Sequence, residues 1–505
     1  MTRSRWREWL LSDLGILVLL ALSRVILHAL TNHQYGFHRD ELGFLGDARH
    51  LAWGYVSYPP LTPFIGRIAL ELVGPSIVGV RFFSGLAQGA ALVLTGLIAR
   101  ELGGKRWSVI VAGLAVWIAP LSFIQGTLFQ YVSFDYLWWV LIAYCMVRLL
   151  KSRDPRWWLA IGAVIGIGMM TKSTMAVFVI GIVGAVLLTP ARCYLRSRWL
   201  WGGVGLALLV FLPNLIWQIQ HNFISLEHLG AIHERDVAIG RTDDFLLEQI
   251  VVGANPFTLP LWLGGLYFYF FTRSGRPYRA LGWMYAIPLV VFTLAQGRSY
   301  YMAPAYPMLL AAGAVVWEGW LAQRKPRVAG LFKGVTYAAL ALGAAFIIVL
   351  AMPVGPVDSA WWKASSDAFS DLKEEIGWPE LAQEVAQIYA GLPEEEKPRT
   401  AIFTGNYGEA GALDMYGPDL GLPRPISAVN SYWLRGYGNP PPQTLIVIGY
   451  RREHIAPYFE TCEIAGQIPN PYNIDNEESH VPDIFICRGL RQPWSVFWEQ
   501  VQHFG

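Results

Sequence analysis

The chain is short of charge. Only 15% of its 505 residues are Asp, Glu, Lys or Arg, and the formal net charge is +2. A nucleic-acid partner needs a basic face to meet the phosphates, so this balance argues against one. Cysteine is scarce as well, four in all, at Cys145, Cys193, Cys462 and Cys487. Cys145 lies in an apolar run and Cys193 in a basic loop, which leaves Cys462 and Cys487 as the one pair in the polar carboxyl-terminal part. A disulfide fits an oxidising location there, and two buried thiols fit equally well. His221, His228, His233 and Glu234 share one stretch, but without the spacing of a zinc-binding helix, so a solvated loop is expected. Gly405 to Gly411 matches neither glycine fingerprint of a phosphate loop and reads as a turn into a helix. Internal repeats are not evident. No small-residue cleavage site follows the first apolar run, so that run is read as a retained helix rather than a signal peptide.

Apolar and aromatic residues are abundant instead. The chain is 54% hydrophobic, with 22 Trp, 23 Tyr and 25 Phe. Apolar runs long enough to span ~30 Å of hydrocarbon recur through the first 350 positions, so the chain is a multi-pass membrane protein. About eleven transmembrane helices are expected, at about 13–30, 77–101, 106–124, 132–150, 156–172, 174–190, 199–217, 249–271, 280–296, 301–321 and 334–353. Leu61 to Val73 is too short and polar to span and reads as an interfacial helix. The basic amino terminus, Met1 to Arg7, belongs inside the cell. So do the loops Lys105-Arg106, Lys151 to Arg156, Arg192 to Arg198, Arg273 to Arg279 and Arg324 to Arg327. That topology leaves 31–76, 218–248 and the carboxyl-terminal part outside. Residues 1–354 then form the transmembrane domain and 355–505 an extracytoplasmic α/β domain. In the latter, Ala401 to Thr404, Thr444 to Gly449 and Asp483 to Cys487 read as buried strands, and Pro379 to Leu392 as a helix.

The polar residues of interest collect on the external side. Arg39, Asp40 and Glu41 lie just beyond the first helix, Asp135 begins the fourth, and Lys172 sits at the turn between the fifth and sixth. Arg298, Tyr300 and Tyr301 precede the tenth. Ionisable groups at a membrane boundary are costly to keep dry and so usually serve a site or face water. Lys172 could instead snorkel, and Asp135 could serve only its helix start. Their common side favours a site holding an anionic head beside a base, with Asp40, Asp135, Lys172 and Arg298 lining one cavity.

This ordered set resembles the polytopic glycosyltransferases that use polyprenyl-phosphate sugars. They include the protein O-mannosyltransferases, the lipid A aminoarabinose transferases and the RgtA/B/C/D-like proteins, of glycosyltransferase family 39 and the GT-C fold. The matches are Asp40-Glu41 in the first external loop, Tyr58-Pro59-Pro60-Leu61, Ser133-Phe134-Asp135, Thr171-Lys172 and the segment Arg298 to Pro307. They extend over the first ~320 residues; Tyr58 stands where the mannosyltransferases have His, and Ser173 where related enzymes have Gly. The resemblance implies a GT-C-like helical domain and an inverting transfer of a sugar from a polyprenyl-phosphate donor to a hydroxyl of a lipid, glycan or protein. By that resemblance Asp40 is the base, with Glu41 assisting; Lys172, Arg298 and Arg39 are candidates for the donor phosphate. Tyr58, Asp135, Tyr300 and Tyr301 would contact substrate. No cofactor is required on this reading, though it leaves room for a divalent cation. The location implied is the cell's inner membrane. The rival class is a transporter or flippase of a lipid-linked glycan. Such a protein should show paired, interrupted helices in two similar halves and a site at mid-membrane, whereas these charges gather at one face.

Overall fold

The computed structural model describes residues 8–505; the basic segment Met1 to Arg7 lies outside the described residues. The chain forms two compact units. The first takes residues up to Thr31, then Arg81–Gln220 and His233–Met352; the second takes Asn32–Val80, His221–Ile232 and Pro353–Gly505.

The first unit is all helical. Among the described residues, five helices are long and apolar enough to cross a membrane: Asp13–Thr31, Ile77–Glu101, Tyr131–Ser152, Arg198–Gln220 and Pro326–Ala351. Two bent pairs, Thr174–Leu187 with Pro190–Arg196 and Phe245–Gly253 with Pro256–Phe271, bring the number to as many as seven if each pair is one broken span. Several of the other expected spans are shorter or broken. The run 106–124 divides into Arg106–Trp117 and Pro120–Ile124, because Pro120 lacks the N–H that would continue the first helix. The run 301–321 opens as a 3-10 turn, Ser299–Ala305, with Pro304 inside it, and becomes α-helical only at Tyr306–Leu321.

A buried polar chain braces the break near residue 120. Arg24 Nη1 donates to the Val116 carbonyl at 3.3 Å and to Ser122 Oγ at 3.0 Å. Ser122 Oγ donates to Gln88 Oε1 at 2.8 Å, and Gln88 Nε2 donates to the Ser133 carbonyl at 2.8 Å. Backbone groups freed by a helix break must find partners where water is absent. These side chains supply some of them and fix the first turn of Tyr131–Ser152.

The second unit is a mixed α/β body around a five-stranded sheet. Its strands are β1 (Thr400–Thr404), β2 (Pro425–Ser427), β3 (Thr444–Ile448), β4 (Phe459–Gln467) and β5 (Asp483–Leu490). Their order is β2-β1-β3-β5-β4, with β2, β1 and β3 parallel and the β3–β5 and β5–β4 pairs antiparallel. Side chains alternate across a strand. Ile402, Ile446, Ile448 and Ile484 pack with Leu381, Val385 and Leu413 of the helices Trp378–Ala390 and Tyr407–Tyr416. Phe403, Leu445, Val447 and Phe485 pack on the other side with Phe497 and Trp498 of Trp494–Gln500. Cys462 lies directly opposite Cys487 in the β4–β5 ladder, and the two form a disulfide.

The segment after the Asp13–Thr31 helix joins this body through a glycine seam. In the Arg39–Ala48 helix, a Cβ on Gly43 would fall 2.9 Å from the Tyr407 ring. In the Tyr407–Tyr416 helix, a Cβ on Gly411 would fall 2.5 Å from the Leu42 carbonyl carbon. The expected interfacial segment is helical over Leu61–Val73, with Thr62, Gly66 and Ala69 buried and Ile68 and Leu72 exposed.

Two outcomes follow. Gly411→Ala in an ordinary helix interior would gain roughly 1 kcal/mol. Here overpacking should reverse the sign and cost roughly 1–3 kcal/mol. Hydrogen exchange of Leu42–Ala48 amides in the full chain should quicken, and unchanged exchange would refute the close seam. The second concerns Glu409, which burial pushes up to about 7 against the bonds it accepts from the Asn406 and Gly405 N–H groups. Its folded form holds a proton that the unfolded chain releases from about pH 4.5. This group's stabilising effect is therefore fully present below pH 4.5, falls as pH rises to about 7, and stays low above. The change is about 3 kcal/mol. Glu409→Gln keeps an acceptor oxygen and should flatten that part of the pH dependence of exchange in Tyr407–Tyr416. An undiminished slope would show that other groups set it.

Candidate active site

The residues singled out from the motifs fall into two groups, one in each unit. In the first unit, Asp135 lies just past the first turn of Tyr131–Ser152 and is buried. Its Oδ2 accepts from Thr174 Oγ1 at 2.9 Å and its Oδ1 from Trp139 Nε1 at 3.1 Å. Lys172 lies in the turn after Trp157–Met169, where its N–H donates to the Gly168 carbonyl and Trp138 Nε1 donates to Thr171 Oγ1. The Lys172 ammonium is 6% exposed and faces three tyrosine rings. It stands 4.9 Å from the centroid of Tyr131, 4.7 Å from Tyr300 and 4.6 Å from Tyr301. No carboxylate forms an ion pair with it among the described residues.

Each ring face is worth about 0.5–2 kcal/mol to a cation, more as water is removed. Such a cage offsets desolvation without neutralising the charge, so the ammonium keeps its attraction for an anion. Asp135 and Arg298 both act on it electrostatically. Asp135, Lys172 and Arg298 thus lie in one unit, with Tyr300 and Tyr301 around the lysine.

Arg298 is not a lone cation. Its Nε donates to Asp236 Oδ2 at 2.5 Å, and Asp236 also pairs with Arg241 at 3.4 Å. Asp236 was missed from sequence because 218–248 reads as an exposed loop. The stretch is instead the helix Ile224–Ala238, in which His233 and Glu234 are exposed as expected while His228 and Asp236 are buried. A carboxylate every few residues in a polar helix gives no hint of which one turns inward.

In the second unit, His38 and Glu41 form a reciprocal capping box at the start of Arg39–Ala48. The Glu41 carboxylate is fully buried and accepts the His38 N–H at 2.8 Å, while the Asp40 N–H donates to His38 Nδ1 at 3.0 Å. Asp40 is partly exposed, and its Oδ1 accepts the Tyr407 hydroxyl proton at 2.7 Å. Arg39 pairs with Glu477 and lies over the Tyr407 ring, 5.4 Å from its centroid. Gly405 to Gly411 is the expected turn into a helix, capped by Asn406 and Glu409. It presents Tyr407 to Asp40, a partnership 367 residues apart that no local pattern announces. Tyr58 donates to Asp47 Oδ2 at 2.6 Å; Asp47 also pairs with Arg435, whose guanidinium stacks on Tyr432 at 4.1 Å. The tyrosine at the mannosyltransferase-histidine position therefore anchors a buried network within this unit. Among the described residues, no three His, Cys, Asp or Glu side chains are grouped as metal ligands.

The chain is similar to known proteins in both sequence and fold. Residues 57–217 match the model of the dolichyl-phosphate-mannose-protein mannosyltransferase family. The chain is 26% identical over 392 residues to the lipid A galacturonosyltransferase RgtD of Rhizobium johnstonii, covering 74% of this chain and 77% of the relative. It is 27% identical over 280 residues to an undecaprenyl phosphate-alpha-4-amino-4-deoxy-L-arabinose arabinosyl transferase of Pseudomonas fluorescens. That match covers 51% of this chain and 49% of the relative. The fold is similar to that of ArnT from Cupriavidus metallidurans bound to undecaprenyl phosphate. The TM-score is 0.60 at 14% identity, over 94% of this chain and 98% of that one. The family match, the relatives and the shared fold bear out the resemblance drawn from the motifs: this chain is a glycosyltransferase similar in sequence and fold to the membrane enzymes of the GT-C type.

Proposed function

We propose that the chain transfers a sugar, with inversion, from a polyprenyl-phosphate donor to a hydroxyl acceptor at the extracytoplasmic face of the membrane. The observation that carries this reading is the Lys172 ammonium, buried among three tyrosine faces with no carboxylate ion-paired to it among the described residues. A charge kept at that cost suits a phosphate that develops negative charge as the sugar leaves. The names of the relatives support the donor class, since the arabinosyl transferases act from an undecaprenyl-phosphate sugar.

In this reading Asp40 takes the proton of the acceptor hydroxyl. The hydroxyl oxygen attacks the anomeric carbon while the carbon–oxygen bond to phosphate breaks, and the electron pair departs on the phosphate. Lys172 offsets that charge. Arg298 contributes through the guanidinium nitrogens that Asp236 does not engage, and Asp135 orients the lysine turn through Thr174. Glu41 acts by shaping the helix that carries Asp40, its carboxylate being engaged with the His38 N–H. Tyr407 holds the Asp40 carboxylate by its hydroxyl. The acceptor is a hydroxyl on a lipid, glycan or protein; the RgtD relative, by name, acts on lipid A.

Asp40→Asn preserves size and removes the base, so transfer should fall ~10²–10⁴-fold while donor binding persists. Near-native turnover in Asp40→Asn combined with Glu41→Gln would end the catalytic reading of this motif. Tyr407→Phe should lower kcat roughly tenfold or more, as expected for losing one hydrogen bond to a charged group. Added to Asp40→Asn it should cost nothing further, whereas independent additive losses would show that Tyr407 does not work through Asp40. Lys172→Ala should weaken binding of undecaprenyl phosphate as well as turnover. Unchanged binding would remove the lysine from the phosphate site.

A further inference from the structure

A cavity of about 320 Å3 lies in the second unit, between the start of the Trp378–Ala390 helix and the connection from β4 to β5. That volume falls in the range of small-ligand sites. Its floor includes Trp378 and Glu478, 1% and 6% exposed, and its rim includes Tyr472, 44% exposed, with Glu380 and Asn470. None of its lining residues is a lysine, arginine or histidine.

The connection that forms one wall is held by its own side chains. Asn470 accepts from the Ile474 N–H at 2.9 Å and donates to the Ile474 carbonyl at 2.8 Å. Asn476 Oδ1 accepts from the Ser479 N–H at 3.1 Å, and Ser479 Oγ donates to the Asn476 carbonyl at 2.7 Å. The wall is therefore preformed, which spares a ligand the entropy of ordering it. At the floor, Glu478 Oε1 accepts from Asn406 Nδ2 at 3.4 Å, while the buried Oε2 has no hydrogen-bond partner among the described residues. A buried polar atom left unpaired is costly, and a ligand hydroxyl would satisfy it. Burial pushes the Glu478 carboxyl up to about 8, helped by Glu409 and Glu374, so near neutral pH it can donate as well as accept.

Two carboxyl side chains without a cation disfavour anions. An exposed tyrosine ring offers a flat face to the C–H side of a pyranose, and carboxyl and amide groups can meet its hydroxyls. We propose that this cavity binds an uncharged or amine-bearing sugar ring, and serves as a subsite for the glycan part of a substrate. The subsite role rests on the glycosyltransferase reading; the binding itself does not.

The test is saturation-transfer NMR on the full-length protein in detergent, with methyl glucoside, glucosamine and glucuronate as separate probes. Methyl glucoside and glucosamine should show transfer and glucuronate little. Tyr472→Ala, at an exposed position, should weaken binding about three- to tenfold, the worth of one ring contact. Glu478→Ala, which removes both the donor and the acceptor, should also weaken it. No transfer to any probe, equal transfer to glucuronate, or binding unchanged in both variants would overturn the site. If the sugars bind as expected but the Asp40 variants keep full turnover, the cavity stands and the catalytic reading falls.

Discussion

A charge withdrawn from water must be met by something else, and this chain meets its buried charges in different ways. Arg24 is surrounded by a carbonyl, a hydroxyl and the His28 ring nitrogen. Arg298 is held by a carboxylate. Asp135 is met by a hydroxyl and an indole N–H. Lys172 alone among these is wrapped by ring faces. The difference matters because a carboxylate cancels charge, whereas a ring face only tolerates it. A ring cage therefore leaves a buried cation's charge uncancelled, and Lys172 has such a cage. The position of the lysine turn and of the first turn of Tyr131–Ser152 then depends on the hydrogen bonds that brace them.

Much of the membrane part was legible because its signal is long and unbroken. The runs at 13–30, 77–101, 132–150 and 199–217 are the helices Asp13–Thr31, Ile77–Glu101, Tyr131–Ser152 and Arg198–Gln220. Hydropathy failed where a proline or a tight turn interrupts an apolar run, as at Pro120 and Pro304, since averaging over a window hides a break of two residues. In the carboxyl-terminal part the three buried strands were legible as apolar runs. β4 was not, for Phe459–Gln467 is an edge strand with most of its side chains in water and two glutamates within it.

The site residues divide on similar lines. Motif order pointed to Asp135, Lys172 and Arg298, and the structure gathers these in one unit. It did not reveal Asp236 or Tyr407, whose roles come from contacts far along the chain. Nor did it reveal that Glu41, adjacent to Asp40 and identical in charge, spends its carboxylate on a backbone N–H. Two neighbouring acids on a helix start point in different directions, and only one of them faces outward.

The contact between Asp40 and Tyr407 also has a consequence in time. A ribosome adds ~5–20 residues each second, so roughly 20–70 seconds separate the synthesis of the acid from that of its tyrosine. Through that interval the Arg39–Ala48 helix has none of the glycine-faced helix against which it packs. Membrane insertion of the intervening spans can proceed while the acid is still unplaced. A nascent or prematurely terminated chain that ends before Tyr407 lacks this hydrogen bond to Asp40, so the arrangement around the acid is completed late.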